Sequence, residues 1–161
     1  MRYTPIVGTL GYILSPSKKE VLLVHRLSNP EDDHLGKYNG LGGKMHPDED
    51  VATCMKREIL EESGLTVQEM ELRGTVNWTN FGKHGEDWLG FIFLITRFEG
   101  TPFDKSPEGP LEWVAIDQIY SLPLWEGDHQ ILPLVFDRES KPFHGVMPYE
   151  NHRPVSWSYI R

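Results

Sequence analysis

The chain has 161 residues, one cysteine and a formal net charge of -8 at pH 7, with 39% hydrophobic and 25% charged residues. This composition predicts one globular domain over residues 1–161 and excludes a disordered chain or an internal disulfide. The acidic balance argues against nucleic acid or an anionic membrane as a partner held by overall charge. Neither a signal peptide nor an apolar run long enough to cross a bilayer is recognised, which predicts a cytoplasmic protein.

Two extended apolar segments come first in the chain. Residues 3–14 end at the turn-forming sequence Ser15-Pro16-Ser17, and residues 20–26 form a second apolar run, so the two together predict a β-hairpin. Residues 27–37 are polar and lack apolar periodicity, which predicts a surface loop able to cover a pocket.

The glycine-rich segment 38–44 invites comparison with phosphate-binding loops. Met45 follows Lys44 where a P-loop requires Ser or Thr, and it also stands where a dinucleotide fingerprint requires its third glycine. Neither template fits, and residues 42–50 are predicted to be a loop that leads into a helix.

The central helix is predicted between Asp50, a good N-cap residue, and Gly64, which can adopt the left-handed conformation that ends a helix. At about 100° per residue, Val51, Ala52, Met55 and Ile59 share one buried arc, while Lys56 and Leu60 lie opposite. Cys54 is interpreted as a small packing residue. Glu58 and Glu62 lie at the edge of the arc and Glu61 just beyond it.

The remaining elements alternate strands with short helices. Strands are predicted at 66–78, 88–98 and 111–116, with a turn at 80–85, a helical turn at 117–120, a helix at 129–136 started by Asp128, and a closing strand pair at 141–148 and 154–160. This order predicts an α/β protein (α+β) with a mixed β-sheet and helices on its faces.

Three carboxylates on one flank of the central helix are the strongest chemical signal. Glu58, Glu61 and Glu62 are three or four residues apart or adjacent and repel one another unless a cation lies among them, and Arg57 alone cannot neutralise all three. Clustered oxygen ligands suit a hard cation such as Mg²⁺, which also binds substrate phosphates.

The spacing of these residues resembles the complete signature of the Nudix hydrolases. Gly43 is followed after five residues by Glu49, after seven more by Arg57-Glu58-Ile59, and then by Glu61-Glu62 and Gly64-Leu65. The resemblance implies an alpha/beta/alpha sandwich with a mixed β-sheet and a metal-dependent hydrolase using Mg²⁺, or alternatively Mn²⁺. It implies metal ligands at Gly43 (through its carbonyl), Glu58, Glu61, Glu62 and, from outside the signature, Glu108. Arg57 and Glu49 are expected to hold the loop and the helix together.

The implied reaction is that of the MutT-type members, which convert a nucleoside triphosphate to the monophosphate and pyrophosphate. A metal or a carboxylate lowers the cost of deprotonating an attacking water. Glu58, Glu61 and Glu108 are the candidates for the catalytic base, and spacing does not choose among them or identify the attacked phosphorus.

Substrate-binding residues are expected outside the signature. Residues 38–44 and 124–128 are similar to segments around the purine in oxidised-purine nucleoside triphosphatases. The similarity implies that Asn39 bonds the base edge, Trp125 stacks on the base and Asp128 reads a ring nitrogen and an amino group. Lys44 and His25 are further candidates, with His25 or Arg26 meeting a phosphate. Gly127 separates Glu126 from Asp128, whereas the animal enzymes have adjacent acids, so the preferred purine stays open.

Two alternatives remain at this point: a Nudix hydrolase of a nucleotide sugar or dinucleotide, and a non-catalytic nucleotide-binding module of the same fold. The seven histidines show no zinc-ligand spacing, and the five tryptophans lack the basic residues of a single-strand nucleic-acid surface. The expected partner is a small-molecule nucleotide, and the sequence is compatible with a monomer or a homodimer.

Overall fold

A mixed β-sheet with helices packed on its two faces forms the structure, a computed structural model that describes residues 1–161. The helices are α1 (Val51–Ser63) and α2 (Asp128–Phe136), and Ile116–Ser121 form a 3₁₀ helix. The eleven strands are β1 (Ile6–Leu14), β2 (Glu20–His25), β3 (Tyr38–Asn39), β4 (Leu41–Lys44), β5 (Thr66–Thr79), β6 (Trp88–Glu99), β7 (Lys105–Ser106), β8 (Gly109–Ala115), β9 (Phe143–Glu150), β10 (Arg153–Pro154) and β11 (Ser158–Ile160).

The main strand order is β10-β9-β5-β6-β1-β2-β8-β7, with β3, β4 and β11 paired to β2, β1 and β9. The β1–β6 and β5–β9 pairs are parallel, and the β1–β2, β2–β8 and β5–β6 pairs are antiparallel. The predicted hairpin of the first two strands is confirmed. The first half of β1 pairs instead with β4, so that Thr9 lies opposite Gly43 at the start of the signature.

Each face of the sheet has its own apolar core, because successive side chains of a strand point to opposite faces. On the α1 face, Met55 and Ile59 pack with residues such as Ile13 and Leu22. On the α2 face, the neighbouring strand residues, including Tyr12 and Val21, pack with Ile131, Leu132 and Val135. The expected sandwich with a mixed sheet is therefore confirmed.

The α1 helix begins and ends where its local sequence predicts. The Asp50 carboxylate accepts a hydrogen bond of 2.8 Å from the Thr53 amide, and Gly64 has a φ of 78°. Met55 and Ile59 are fully buried, whereas Leu60 is 52% exposed on the opposite side. These caps fix the orientation of the acidic flank.

One prediction of local structure was wrong. Residues 42–44 are part of strand β4 rather than a loop, because glycine lets the chain lie close beside β1; a Cβ atom on Gly42 would clash with the Thr9 carbonyl oxygen. Helix α2 begins at Asp128, as predicted, and Gly127 is its N-cap. Neither helix combines the length and apolar character that a membrane span requires.

Candidate active site

One cavity of about 320 Å³ brings together β1, β4, the loop after β2 and the loop before α2. Backbone groups of Gly42 and Gly43 line one end, next to the acidic flank of α1. Large aromatic side chains line much of the remaining wall, among them Trp78, Phe81 and Trp125. The cavity therefore joins a polar backbone surface beside carboxylates to a chamber suited to a flat apolar group.

Glu62 lies at the centre of the carboxylate group. Burial, together with the nearby charges of Glu108 and Glu58, holds the pKa of the Glu62 carboxyl well above its usual range, and a hydrogen bond from the Gly42 amide opposes that rise. Glu108 reaches the group from the β7–β8 turn, where Ser106 Oγ donates to Glu108 Oε2 at 3.1 Å. Glu58 and Glu108 therefore both lie near Glu62.

Glu58 lies against the backbone of β4. A Cβ atom added to Gly43 would be 2.5 Å from Glu58 Oε1, so only glycine leaves room for this carboxylate. The contact brings the Gly43 backbone and a helix acid to the same point. A set of carboxylate and carbonyl oxygens fits a hard divalent cation, which would also relieve the repulsion that raises the pKa of Glu62.

Glu61 is not brought into this group. Its side chain is 58% exposed, and Arg57 Nη1 lies 3.3 Å from its carboxylate. No three His, Cys, Asp or Glu side chains stand in a preformed metal-binding arrangement. The metal role predicted for Glu61 therefore stays a prediction that needs its side chain to rotate.

Arg57 ties the loop before α1 to the helix. It donates to Glu49 from Nη2 at 2.6 Å and from Nε at 3.0 Å, to Glu58 at 2.8 Å, and to the Lys44 carbonyl at 3.2 Å. The hydrogen bonds from Arg57 lower the pKa of Glu49 to about 2. This arrangement fits the structural role expected for Arg57 and Glu49.

The chamber end carries three residues predicted to contact a base. Asn39, Trp125 and Asp128 all line the cavity. Asn39 Oδ1 is buried without a hydrogen-bond partner. Burial raises the pKa of the Asp128 carboxyl to about 7, and the charge of Lys37 opposes the rise. A buried acceptor and an acid that titrates near neutrality are suited to reading donors and acceptors on a ligand.

Glu126, the neighbouring acid, points away from the cavity. Its carboxylate accepts hydrogen bonds from Arg153 Nη2 at 2.5 Å and from Arg153 Nε at 3.1 Å on the exposed surface. Only Asp128 of the two acids reaches the chamber, which is the consequence expected from the intervening Gly127.

Lys44 and His25 do not line the cavity. The Lys44 ammonium lies 5.7 Å from the centre of the Trp88 ring, on the exposed side of β4. The His25 ring stacks on Tyr38 at 4.1 Å, with Nδ1 3.7 Å from Glu112. Arg26 does line the cavity, but its Nε donates to Asp32 at 2.7 Å. The substrate role predicted for Lys44 and the phosphate contact predicted for His25 or Arg26 stay predictions.

Several cavity residues carry no signal in the sequence. His34 comes from loop 27–37, Trp78 from the end of β5, Phe81 from the following turn and Tyr149 from β9. Phe81 and Tyr149 meet edge to face at 4.9 Å. These four residues belong to segments up to 115 positions apart, from His34 to Tyr149, and only the fold brings them together.

Comparisons with known proteins agree with this geometry. The family model of the NUDIX domain matches residues 5–135. Oxidized purine nucleoside triphosphate hydrolase of Danio rerio is 33% identical over 117 residues, covering 73% of this chain and 72% of the relative. The Mus musculus protein of the same name is 33% identical over 120 residues, covering 74% of each. The crystal structure of the MutT protein from Bacillus halodurans superimposes with a TM-score of 0.81 at 28% identity, covering 96% of this chain and 97% of that one.

Proposed function

The chain belongs to the Nudix hydrolase family, and from that premise we propose that it hydrolyses an oxidised purine nucleoside triphosphate, such as 8-oxo-dGTP, to the monophosphate and pyrophosphate. The proposal treats residues 1–161 as a single Nudix domain that removes damaged nucleotides before they enter DNA. Nudix hydrolases act on small-molecule nucleotides and generally use divalent metal ions.

The lining of the cavity supports the proposed substrate. The cavity runs from the backbone of Gly42 and Gly43, where Glu58 lies against Gly43, to an aromatic chamber in which Asn39 and Asp128 offer polar atoms to the edge of a planar ligand. A purine has the flat faces that Trp125 and Phe81 can contact and the ring nitrogens that the two polar side chains can bond.

The proposed cation is Mg²⁺, with Mn²⁺ as the alternative. Glu58, Glu62 and Glu108 with the Gly43 carbonyl would hold it, and Glu61 would join after moving toward them. When bound, such a cation screens the phosphate charge and binds substrate oxygens directly. The nearness of Glu58 and Glu108 to half-buried Glu62 supports this assignment.

The residues around the proposed cation site have two further roles, orienting the carboxylates and removing a proton from the attacking water. Arg57 orients Glu58 through a 2.8 Å hydrogen bond, and Ser106 orients Glu108 through one of 3.1 Å. Proton removal from the attacking water is assigned to one of Glu58, Glu61 and Glu108. Of these, Glu61 is the most exposed to water, and all three accept a hydrogen bond: Glu58 and Glu61 from Arg57, and Glu108 from Ser106.

A substrate panel tests the proposal. The panel contains 8-oxo-dGTP, dGTP, a nucleotide sugar and a dinucleoside polyphosphate, each with Mg²⁺ and with a chelator, and phosphorus NMR in oxygen-18 water identifies the products. We expect pyrophosphate and a monophosphate, with 8-oxo-dGTP hydrolysed fastest, and the labelled product identifies the attacked phosphorus. Faster hydrolysis of the nucleotide sugar or dinucleotide would overturn the substrate assignment. Binding without metal-dependent turnover would overturn the enzymatic one.

A further inference from the structure

His34, a residue of loop 27–37, bonds the tryptophan that is proposed to stack on the base. Trp125 Nε1 donates a hydrogen bond of 2.9 Å to His34 Nδ1, and the two rings meet edge to face with centroids 4.6 Å apart. The two residues are 91 positions apart in the chain. This bond therefore joins two separate loops across the wall of the cavity.

The bond fixes the tautomer of His34. An indole N–H can only donate, so Nδ1 of His34 must be the acceptor and a neutral ring must carry its proton on Nε2. Burial and the charge of Arg26 lower the pKa of the imidazole to about 4, while Asp32 and Asp33 act in the opposite direction. The ring is therefore neutral at pH 7, and its acceptor nitrogen is available.

The ring of His34 also lies near Asn39. A side-chain hydrogen bond with Asn39 is among the causes that raise the pKa of His34 against the effect of burial. Asn39 Oδ1 is the buried side-chain acceptor that has no partner at full hydrogen-bond geometry. A donor on Nε2 and an unpaired acceptor thus lie next to each other at the cavity wall.

Other contacts hold this group in place. Asp32 Oδ1 accepts from the His34 backbone amide at 2.9 Å and its Oδ2 accepts from Arg26 Nε at 2.7 Å. The Lys37 ammonium lies 5.8 Å from the centre of the Trp125 ring, and Lys37 is not among the residues that line the cavity. Lys37 thus adds to the support of Trp125 from outside the chamber.

We propose that His34 is a positioning residue for the nucleotide base: its hydrogen bond with Trp125 holds the stacking surface in place beside Asn39, the amide that bonds the base edge. The proposal rests on the proposed function, because that function gives Trp125 and Asn39 their roles. His34 is not next to the carboxylates, so it acts on binding of the base and not on the chemical step.

The hydrogen bond between His34 and Trp125 is tested without any substrate. In protein labelled with nitrogen-15, we expect long-range proton–nitrogen NMR spectra to report the Nε2–H tautomer of His34 at pH 7. We also expect the Trp125 indole N–H signal to shift in His34→Leu and to stay close to the wild-type position in His34→Asn, whose amide oxygen can replace Nδ1. An Nδ1–H tautomer, or an indole signal unchanged in His34→Leu, would overturn the proposal.

The kinetic consequence is tested with the best substrate of the panel. Loss of one hydrogen bond is expected to raise KM about five- to tenfold in His34→Leu and to change kcat less than about twofold. His34→Asn should retain most of the wild-type KM. His144→Leu is the matched control, because His144 is exposed on β9 and does not line the cavity.

A double-mutant cycle separates this role from general damage. In a Trp125→Phe background the ring cannot donate, so adding His34→Leu should raise KM by less than about twofold. An equal effect of His34→Leu in both backgrounds, or a fall in kcat at unchanged KM, would overturn the proposal. If the panel instead favours a nucleotide sugar, the proposed function fails. The His34 tautomer and the double-mutant cycle, measured with that nucleotide sugar, then still decide the role of His34.

Discussion

Gly43 and Glu58 are in such close contact that a methyl group on Gly43 would lie 2.5 Å from Oε1 of Glu58. The first glycine of the signature therefore leaves space for the first acid of its helix. This contact relates β4, whose backbone lines the cavity, to α1, whose carboxylates are proposed to bind the cation.

We expect Gly43→Ala to displace the Glu58 carboxylate. Since the displaced atoms are the end of a side chain, the melting temperature should change little, while kcat should fall up to about 100-fold because the group is misplaced. Gly42→Ala is the contrasting variant: its Cβ atom would meet the Thr9 backbone, so stability should fall by about 1–3 kcal/mol. Unchanged kcat in Gly43→Ala would contradict the assigned role of Glu58.

Glu62→Gln should lower the Mg²⁺-dependent turnover rate at least about 100-fold. The pKa of Glu62 in the folded state is above its usual value of 4.5, so ionising Glu62 lowers the stability of the fold as the pH rises above 4.5. Gln is neutral, so the variant should keep the fold. In a chelator at about pH 8, the variant should therefore melt no lower than wild type. Glu69→Gln, at an exposed ion pair with Arg97, is the control. Wild-type turnover in Glu62→Gln would remove the metal assignment.

Asp128 should make the choice of purine depend on pH. Below its pKa of about 7 the carboxyl can donate a hydrogen bond, as an adenine-type edge requires, and above it the carboxylate accepts from the N–H groups of a guanine-type edge. The ratio of kcat/KM for 8-oxo-dGTP to that for 8-oxo-dATP should therefore rise at least about tenfold between about pH 6 and about pH 8.

The ratio cancels pH effects on the metal and the attacking water, which both substrates share. Asp128→Asn cannot titrate, so its ratio should be constant over the same pH range. A ratio that rises equally in this variant would assign the pH dependence to another group.

Arg73 should matter for stability and not for catalysis. Its side chain is 5% exposed and donates to the Val135 carbonyl at 2.9 Å and to Asp137 Oδ1 at 2.9 Å, at the end of α2. Arg73→Met should lower the free energy of unfolding by about 3 kcal/mol in urea titrations, because buried acceptors lose their partner. Arg97→Met, at a surface pair, should cost less than about 1 kcal/mol. Equal losses in the two variants would contradict this account.

Local signals explain which elements the sequence predicts well. The α1 helix depends on Asp50, Gly64 and an apolar arc that all lie within one segment, so its bounds are predicted closely. Strand β4 contains Gly42 and Gly43, which have poor strand propensity, and it is a strand because the first half of β1 offers it a free edge. That edge is a property of the assembled sheet.

In the candidate site, too, local sequence predicts some residues, and only the fold brings the others together. Helical spacing brings Glu58 and Glu62 together, but the exposure of Glu61 depends on its position at the rim of the helix flank and on its contact with Arg57. His34, Phe81 and Tyr149 join the cavity through tertiary packing alone. A single sequence has no pattern that relates a histidine in a polar loop to a tryptophan 91 positions later.

The parallel pairing of β1 with β6 has a consequence for synthesis of the protein. Ile6 pairs with Trp88, so β1, whose partners β2 and β4 follow soon after it, must wait for 82 more residues (88 − 6) before its parallel neighbour β6 exists. At roughly 5–20 residues per second, the wait is about 4–16 s. During that time the β6 edge of β1 is open to chaperones, and the sheet can close only late in translation.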